Sequence, residues 1–188
     1  TISLIDICKA AETIRGIVPN AHICLGGHHP IAYPHEAAKL PQFDSIVVGE
    51  GEIAFTELVK AIANGENFTH ITGVYTDESI EIFKDKPHRD KRFLARVSVP
   101  SAYVEEIDSI SFPNRKYIRH IKYQNILGVT ADLATILSSR GCPYQCTFCD
   151  VPIKSYRQRS EDAVLDEVEE CMGMGYTEFR FYDDLFNI

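Results

Sequence analysis

The chain has 188 residues, 45% hydrophobic and 24% charged, which is the balance of an ordinary soluble globular protein of one large or two small domains. A net charge of -8 argues against a general nucleic-acid surface, since phosphate binding usually needs a basic face. No apolar run approaches the roughly 20 residues that span a bilayer. Six cysteines, three of them within eight residues, suit a metal site in a reducing cytoplasm better than a secreted disulfide framework.

In chain order, Ile5, Cys8, Ala11, Thr13, Ile14 and Val18 give a mostly helical spacing that stops at Pro19-Asn20. A short apolar strand, His22 to Leu25, runs into Gly26-Gly27, and a second helix is predicted around His35 to Leu40. The β-branched stretch Ser45 to Val48 is the next strand and leads to Gly49-Glu50-Gly51-Glu52. A third helix follows with Phe55, Leu58, Val59 and Ile62 on its apolar face and Asn64-Gly65 as its stop. Strands alternating with helices imply an α/β fold with a parallel sheet. Between about Ile71 and Gln124 the rhythm is lost. Val74-Tyr75 and Ile80 to Phe83 read as a hairpin across Asp77-Glu78-Ser79, and Pro87, Pro100 and Pro113 interrupt any long helix.

The rhythm returns with a strand over Ala134 to Ser138 and a cysteine-bearing loop. Ser160 caps a helix whose first turn carries Glu161 and Asp162, with Val164, Leu165, Val168, Cys171 and Met172 as its expected buried stripe. Gly173 and Gly175 end it, and Phe179 to Tyr182 forms a strand that delivers Asp183-Asp184 at its carboxyl end. This is a β-loop-α-β unit with its chemistry at the carboxyl ends of the strands, where α/β folds place their sites.

The loop from Arg140 to Cys149 spaces Cys142, Cys146 and Cys149 as C-x3-C-x2-C. Three thiolates on one loop can cap three irons of a cubane and leave the fourth iron open. The alternative is a zinc site completed by a distant histidine such as His120, although zinc sites favour paired C-x2-C halves. Asp183-Asp184 could equally be a solvated capping turn, and Arg157 and Arg159 exposed arginines at a helix start.

With Phe148 directly before the third cysteine, Tyr156-Arg157-Gln158-Arg159-Ser160 leading into the helix, and Phe181 to Phe186 closing the unit, the loop resembles the radical S-adenosylmethionine superfamily. The resemblance implies a [4Fe-4S] cluster on Cys142, Cys146 and Cys149. S-adenosylmethionine (SAM) would lie near Phe148, Arg157, Asp183 and Asp184, and its reductive cleavage would give a 5′-deoxyadenosyl radical. Leu25 to Pro30 and Phe43 to Glu52 resemble the later part of a cobalamin-binding domain ahead of the radical barrel, and Ile107 to Arg115 resembles the connector between the two. This implies cobalamin near Gly26, Gly27, Gly49, Glu50, Gly51 and Glu52, the glycines letting backbone approach a bulky ligand.

The expected architecture is a partial Rossmann-like (flavodoxin-like) cobalamin domain over 1–70, a connector over 71–130, and the first β/α unit of a partial TIM-type barrel over 131–188. The implied activity is methylation, rearrangement or ring formation on a small molecule, with flavodoxin or ferredoxin as reductant. The Asp-x-His-x-x-Gly loop of many cobalamin domains is absent, so no histidine is assigned to cobalt, and no catalytic side chain is assigned. Because the chain opens at a helix cap and stops just after a strand, it reads as part of a longer protein, and the isolated 188 residues are expected not to turn over substrate. Two other functions fit the motifs. One is a methylthiotransferase on tRNA or a ribosomal protein, although only Cys8 and Cys24 precede the loop where that group carries three further cysteines. The other is a non-catalytic iron–sulfur or metal module.

Overall fold

The computed structural model describes residues 3–85, 91–93, 98–122, 128–149 and 151–187. The fold is mixed α/β and divides into two units, Thr1–Val104 and Glu105–Ile188. The described residues of 71–104 thus belong to the first unit and those of 105–130 to the second.

In the first unit, helix α1 (Leu4–Ile17) leads to strand β1 (Cys24–Leu25). Two short helices follow, α2 (His28–Ala32) and α3 (Pro34–Ala38), where one helix over His35 to Leu40 is expected. The second keeps its place because Pro34 supplies a preset φ at a helix start. The first forms because the chain leaves Gly27 at φ +88 and turns directly into a helix. Strand β2 (Ser45–Val47) is parallel to β1, pairing Cys24 with Ser45 and Leu25 with Ile46. Helix α4 (Gly51–Asn64) ends at Gly65, whose left-handed φ of +69 suits a glycine stop. Strand β3 (Val74–Tyr75) then adds antiparallel to β2.

Arg15 and Asp44 fasten the beginning of this sheet. The Arg15 guanidinium donates to Asp44 Oδ2 at 2.6 Å and to the Ala21 carbonyl, while the Ile23 N–H donates to the same carboxylate oxygen at 2.7 Å. Partial burial opposes ionisation of Asp44, but the Ile23 N–H and Arg15 together hold its carboxyl below the usual carboxylate range.

Two expectations fail here. Helix α4 buries Ala54, Leu58 and Ala61 against Val47, Ile71, Val74 and Ala102, while Phe55 and Val59 remain 49% exposed. Leu58 is buried as expected and Ile62 packs against the same cluster, but the alanines allow close approach to the sheet and leave Phe55 and Val59 outside it. The expected hairpin after Tyr75 is also absent. Asp77–Ile80 forms helix α5 because Thr76 and Ser79 make a reciprocal capping box, each side chain accepting from the other's backbone N–H.

The segment 98–104 returns to the end of β2. Ala102 N–H donates to the Val48 carbonyl at 2.8 Å and Glu50 N–H to the Ala102 carbonyl at 2.9 Å. A Cβ on Gly49, at φ +103, would lie 2.2 Å from the Ala102 oxygen, and one on Gly73 would lie 2.6 Å from the Ala102 nitrogen. Both glycines are therefore required by the chain's own packing.

The second unit opens with 3-10 turns at Ile107–Ser109 and Arg115–Tyr117. Strand β4 (Leu133–Ile136) leads to β5 (Ser139–Arg140), which pairs antiparallel with β6 (Arg157–Gln158). Helix α6 (Glu161–Gly173) follows, with Ser160 Oγ accepting from the Ala163 N–H at 3.2 Å as the predicted cap. Strand β7 (Glu178–Phe181) returns parallel to β4 in register Leu133–Glu178 to Ile136–Phe181. The expected apolar stripe of α6 is only partly used. Cys171 is buried with Ala134 and Tyr176, but Leu165 and Met172 are exposed, and Glu167 takes a buried place.

Two outcomes are expected. Gly49→Ala should destabilise the chain by about 2 kcal/mol or more through the disallowed φ and the collision with Ala102, read as a lower urea midpoint. The Arg15–Asp44 contribution should be present above the ordinary aspartate pKa of about 3.9 and fade as pH falls through the depressed folded value. Asp44→Asn should accordingly flatten the acid limb of the thermal-midpoint profile.

Candidate functional site

Strand β4 ends at Ile136, and within five residues the chain reaches the cysteine loop. Its neck is the β5–β6 pair, with Ser139 opposite Gln158 and Arg140 opposite Arg157. Above the pair, Gly141 takes φ +79, and a Cβ there would sit 2.3 Å from the Ser155 carbonyl oxygen. Cys142 N–H donates to the Ile153 carbonyl at 3.2 Å and Cys149 N–H to the Cys146 carbonyl at 3.1 Å. The cysteines therefore lie on a loop closed at its base by backbone. All six cysteines are free thiols; in the loop Cys142 and Cys149 are half-buried and Cys146 is exposed.

No three His, Cys, Asp or Glu side chains among the described residues converge on a single metal position. The zinc arrangement through His120 is thus not assembled among them. A cubane makes a different demand, since each thiolate caps its own iron. Three unpaired thiols of this spacing match that donor set.

Asp183 leaves the end of β7 and reaches the turn between β4 and β5. Its Oδ1 accepts from Ser138 Oγ at 3.0 Å, from Ser139 Oγ at 2.6 Å and from the Ser139 N–H. Its Oδ2 is buried and meets no donor among the described residues. Asp184 beside it is exposed. Phe148 is 90% exposed at the loop tip, and the Phe181 and Phe186 rings lie 4.9 Å apart between centroids next to the aspartates. Arg157 is half-buried in the neck.

Arg159 has a structural place. Its guanidinium donates to Glu167 Oε2, to the Leu137 carbonyl at 3.0 Å and to the Ala163 carbonyl at 2.8 Å, and packs over the Phe112 ring. Arg115 approaches Glu167 from the other side, donating to Oε1 at 2.6 Å and to the Thr135 carbonyl at 2.7 Å. Glu167 is 3% and Arg115 7% exposed. This buried triad is missed in the sequence, where Glu167 lies among several glutamates of α6; its position one turn before Cys171, on the face toward β4, is the only signal.

In the first unit, a cavity of about 460 Å³ lies at the carboxyl ends of parallel β1 and β2. It is lined by Gly26, Gly27, Gly49, Gly51, Glu52 and Phe55, among others. A Cβ on Gly26 or Gly27 would meet nothing within 4 Å. Glu50 does not line it. That side chain is buried on the opposite side, where Oε2 accepts from the Val104 N–H at 2.7 Å.

Comparison with known proteins gives these arrangements a context. No family model matches the chain. The uncharacterized methyltransferase PH0819 of Pyrococcus horikoshii is 26% identical over 193 residues, covering 100% of this chain and 39% of that protein. The cobalamin-dependent radical SAM methyltransferase TokK of Streptomyces tokunonensis is 27% identical over 167 residues, 86% of this chain and 23% of TokK. The structure of the cobalamin-dependent S-adenosylmethionine radical enzyme OxsB, with aqua-cobalamin and S-adenosylmethionine bound, superposes with a TM-score of 0.69 at 18% identity. It covers 98% of this chain and 24% of OxsB. The chain is thus similar in sequence to a cobalamin-dependent radical SAM methyltransferase and shares the fold of a cobalamin-dependent radical SAM enzyme. It spans well under half the length of these relatives.

The buried triad predicts a specific cost. Glu167→Gln leaves two arginine cations facing a neutral acceptor and should destabilise the second unit by about 3 kcal/mol. Urea unfolding followed by tyrosine fluorescence tests this, and a loss under about 1 kcal/mol would show that the arginines find water instead.

Proposed function

We propose that this chain carries the cofactor sites of a cobalamin-dependent radical SAM enzyme that transfers a methyl group to a small molecule. One observation carries the reading: a C-x3-C-x2-C loop leaves the carboxyl end of β4 while an aspartate pair leaves the carboxyl end of its parallel neighbour β7. Residues 1–70 are then the later part of a Rossmann-like cobalamin domain, 71–130 the connector, and 131–188 the first β/α unit of a partial barrel. Methyl transfer is preferred over rearrangement or ring formation because the named activity of PH0819 and TokK is methyl transfer.

Cys142, Cys146 and Cys149 would hold a [4Fe-4S] cluster. When bound and reduced, such a cluster supplies the electron that cleaves S-adenosylmethionine to methionine and a 5′-deoxyadenosyl radical. The chain's own part is positional. The β5–β6 neck fixes where the thiolates start. The Asp183–Asp184 end of β7 brings carboxylate to the same edge, suited to an ammonium group by charge-assisted hydrogen bonding. Phe148 offers an exposed ring face for stacking on a base, and Arg157 adds a cation at the neck. In the first unit the open surface at Gly26 and Gly27 admits the tail of cobalamin, with Gly49, Gly51 and Glu52 along the same wall. Glu50 supports that wall from behind through Val104. A low-potential protein such as flavodoxin or ferredoxin would be the electron donor, and free thiols suit the cytoplasm. No helix among the described residues is long and apolar enough to cross a membrane.

Anaerobic reconstitution tests the reading. The chain should take up about four irons, and alanine at any one of the three loop cysteines should cut that sharply, whereas Cys171→Ala should not. Addition of S-adenosylmethionine should change the spin-resonance signal of the reduced cluster. Full iron uptake by all three loop variants would sink the proposal.

A further inference from the structure

The aspartates at the end of β7 occupy different environments, and their roles separate accordingly. Asp183 Oδ1 already accepts from three donors on Ser138 and Ser139, and its Oδ2 is buried. Neither oxygen is presented to a ligand. Asp184, one residue on, is exposed. The targets of Asp183 are equally specific. Ser139 is 2% exposed and stands three residues before Cys142, in the strand that forms the loop's neck. The backbone ladder between β4 and β7 runs to the Tyr182 N–H, which donates to the Ile136 carbonyl at 2.9 Å. Beyond that point the chains part, and the Asp183 side chain continues the connection where backbone bonds stop.

We propose that Asp183 is a positioning residue: its carboxylate clamps Ser138 and Ser139 to the end of β7 and so fixes the neck from which Cys142 projects. Asp184 is then the carboxylate of the pair available to a cationic ligand. The inference rests on the cluster reading for its consequence, but the clamp itself is a property of the metal-free chain. A backbone N–H and two hydroxyls converging on one carboxylate oxygen form a charge-assisted set, each member stronger than a neutral bond. Removing the carboxylate leaves three buried or half-buried donors without their acceptor, which costs more than removing any one donor.

The test uses three variants of the full chain: Asp183→Ala, the double variant Ser138→Ala with Ser139→Ala, and Asp184→Ala. In the metal-free chain, hydrogen exchange at the Ser139 amide should accelerate about 10- to 100-fold in Asp183→Ala. The serine variant should give a smaller rise of the same pattern along 139–142, and combining it with Asp183→Ala should add little. Asp184→Ala should leave this exchange unchanged. In reconstituted protein, iron release to a chelator should quicken in the Asp183 and serine variants and not in Asp184→Ala, which should instead blunt the spectral response to S-adenosylmethionine. Asp183→Asn keeps the shape and serves if the alanine variant does not fold. Unchanged exchange in Asp183→Ala overturns the clamp. So does a serine variant that behaves as wild type while Asp183→Ala loses the response to S-adenosylmethionine. Failure of the wild-type chain to take up iron would defeat the cluster reading alone, because the exchange measurement needs no metal.

Discussion

The second unit depends on a glutamate that could not stay buried by itself. Moving an ionised carboxylate out of water costs several kcal/mol even after relaxation, and Glu167 recovers this only because Arg115 and Arg159 each meet one of its oxygens. The arginines in turn spend their remaining donors on the carbonyls of Thr135, Leu137 and Ala163. Four pieces of chain are thereby joined at one point: the turn at Arg115–Tyr117, the end of β4, the segment after β6, and α6. Such a centre stabilises little over an apolar equivalent, but it is directional. An apolar core tolerates rotation of α6, whereas two guanidinium forks and one carboxylate admit one arrangement.

That fixed arrangement is what allows neighbouring strands to deliver chemistry to one edge. The parallel register of β4 and β7 places Ile136 beside Phe181, so the residues that follow each strand depart from the same level. One departure becomes the cysteine loop and the other the aspartate pair. Neither motif needs to know of the other in sequence, since 34 positions separate Cys149 from Asp183 and the sheet brings the two strand ends together.

Much of this was legible in the sequence. The cap at Ser160, the strands around Ala134 and Phe179, and the stop at Gly65 follow from local rules, and each is where those rules put it. The failures share a cause. Large apolar side chains at helical spacing usually face a core, so Phe55, Val59, Leu165 and Met172 look like core residues in the sequence. Here α4 buries Ala54 and Ala61 around Leu58 and α6 buries a glutamate, both choices made by the opposing surface. The capping box at Thr76 was local and readable, yet a hairpin pattern masked it. The glycines show the limit most clearly. Gly26, Gly27, Gly49 and Gly51 look alike in a string of letters, but Gly49 is demanded by the Ala102 backbone, while Gly26 and Gly27 face open space. Gly27 is still favoured as glycine by its φ of +88, which leaves Gly26 as the one of that pair without a backbone reason.

The cysteine loop itself is built unevenly, and the unevenness has a physical logic. Its base is over-determined by the β5–β6 pair, the Gly141 turn against Ser155, the Cys142–Ile153 bond and the Asp183 clamp. Its tip, with Tyr144, Cys146 and Phe148, is exposed. A site completed by a group that joins several side chains does not require those side chains to be packed beforehand, because binding free energy can supply the ordering of the tip. It does require that the loop start and end in the right place, since an error at the neck would be carried to all three thiols. Rigidity concentrated at the base and freedom left at the tip is the distribution that such a loop needs.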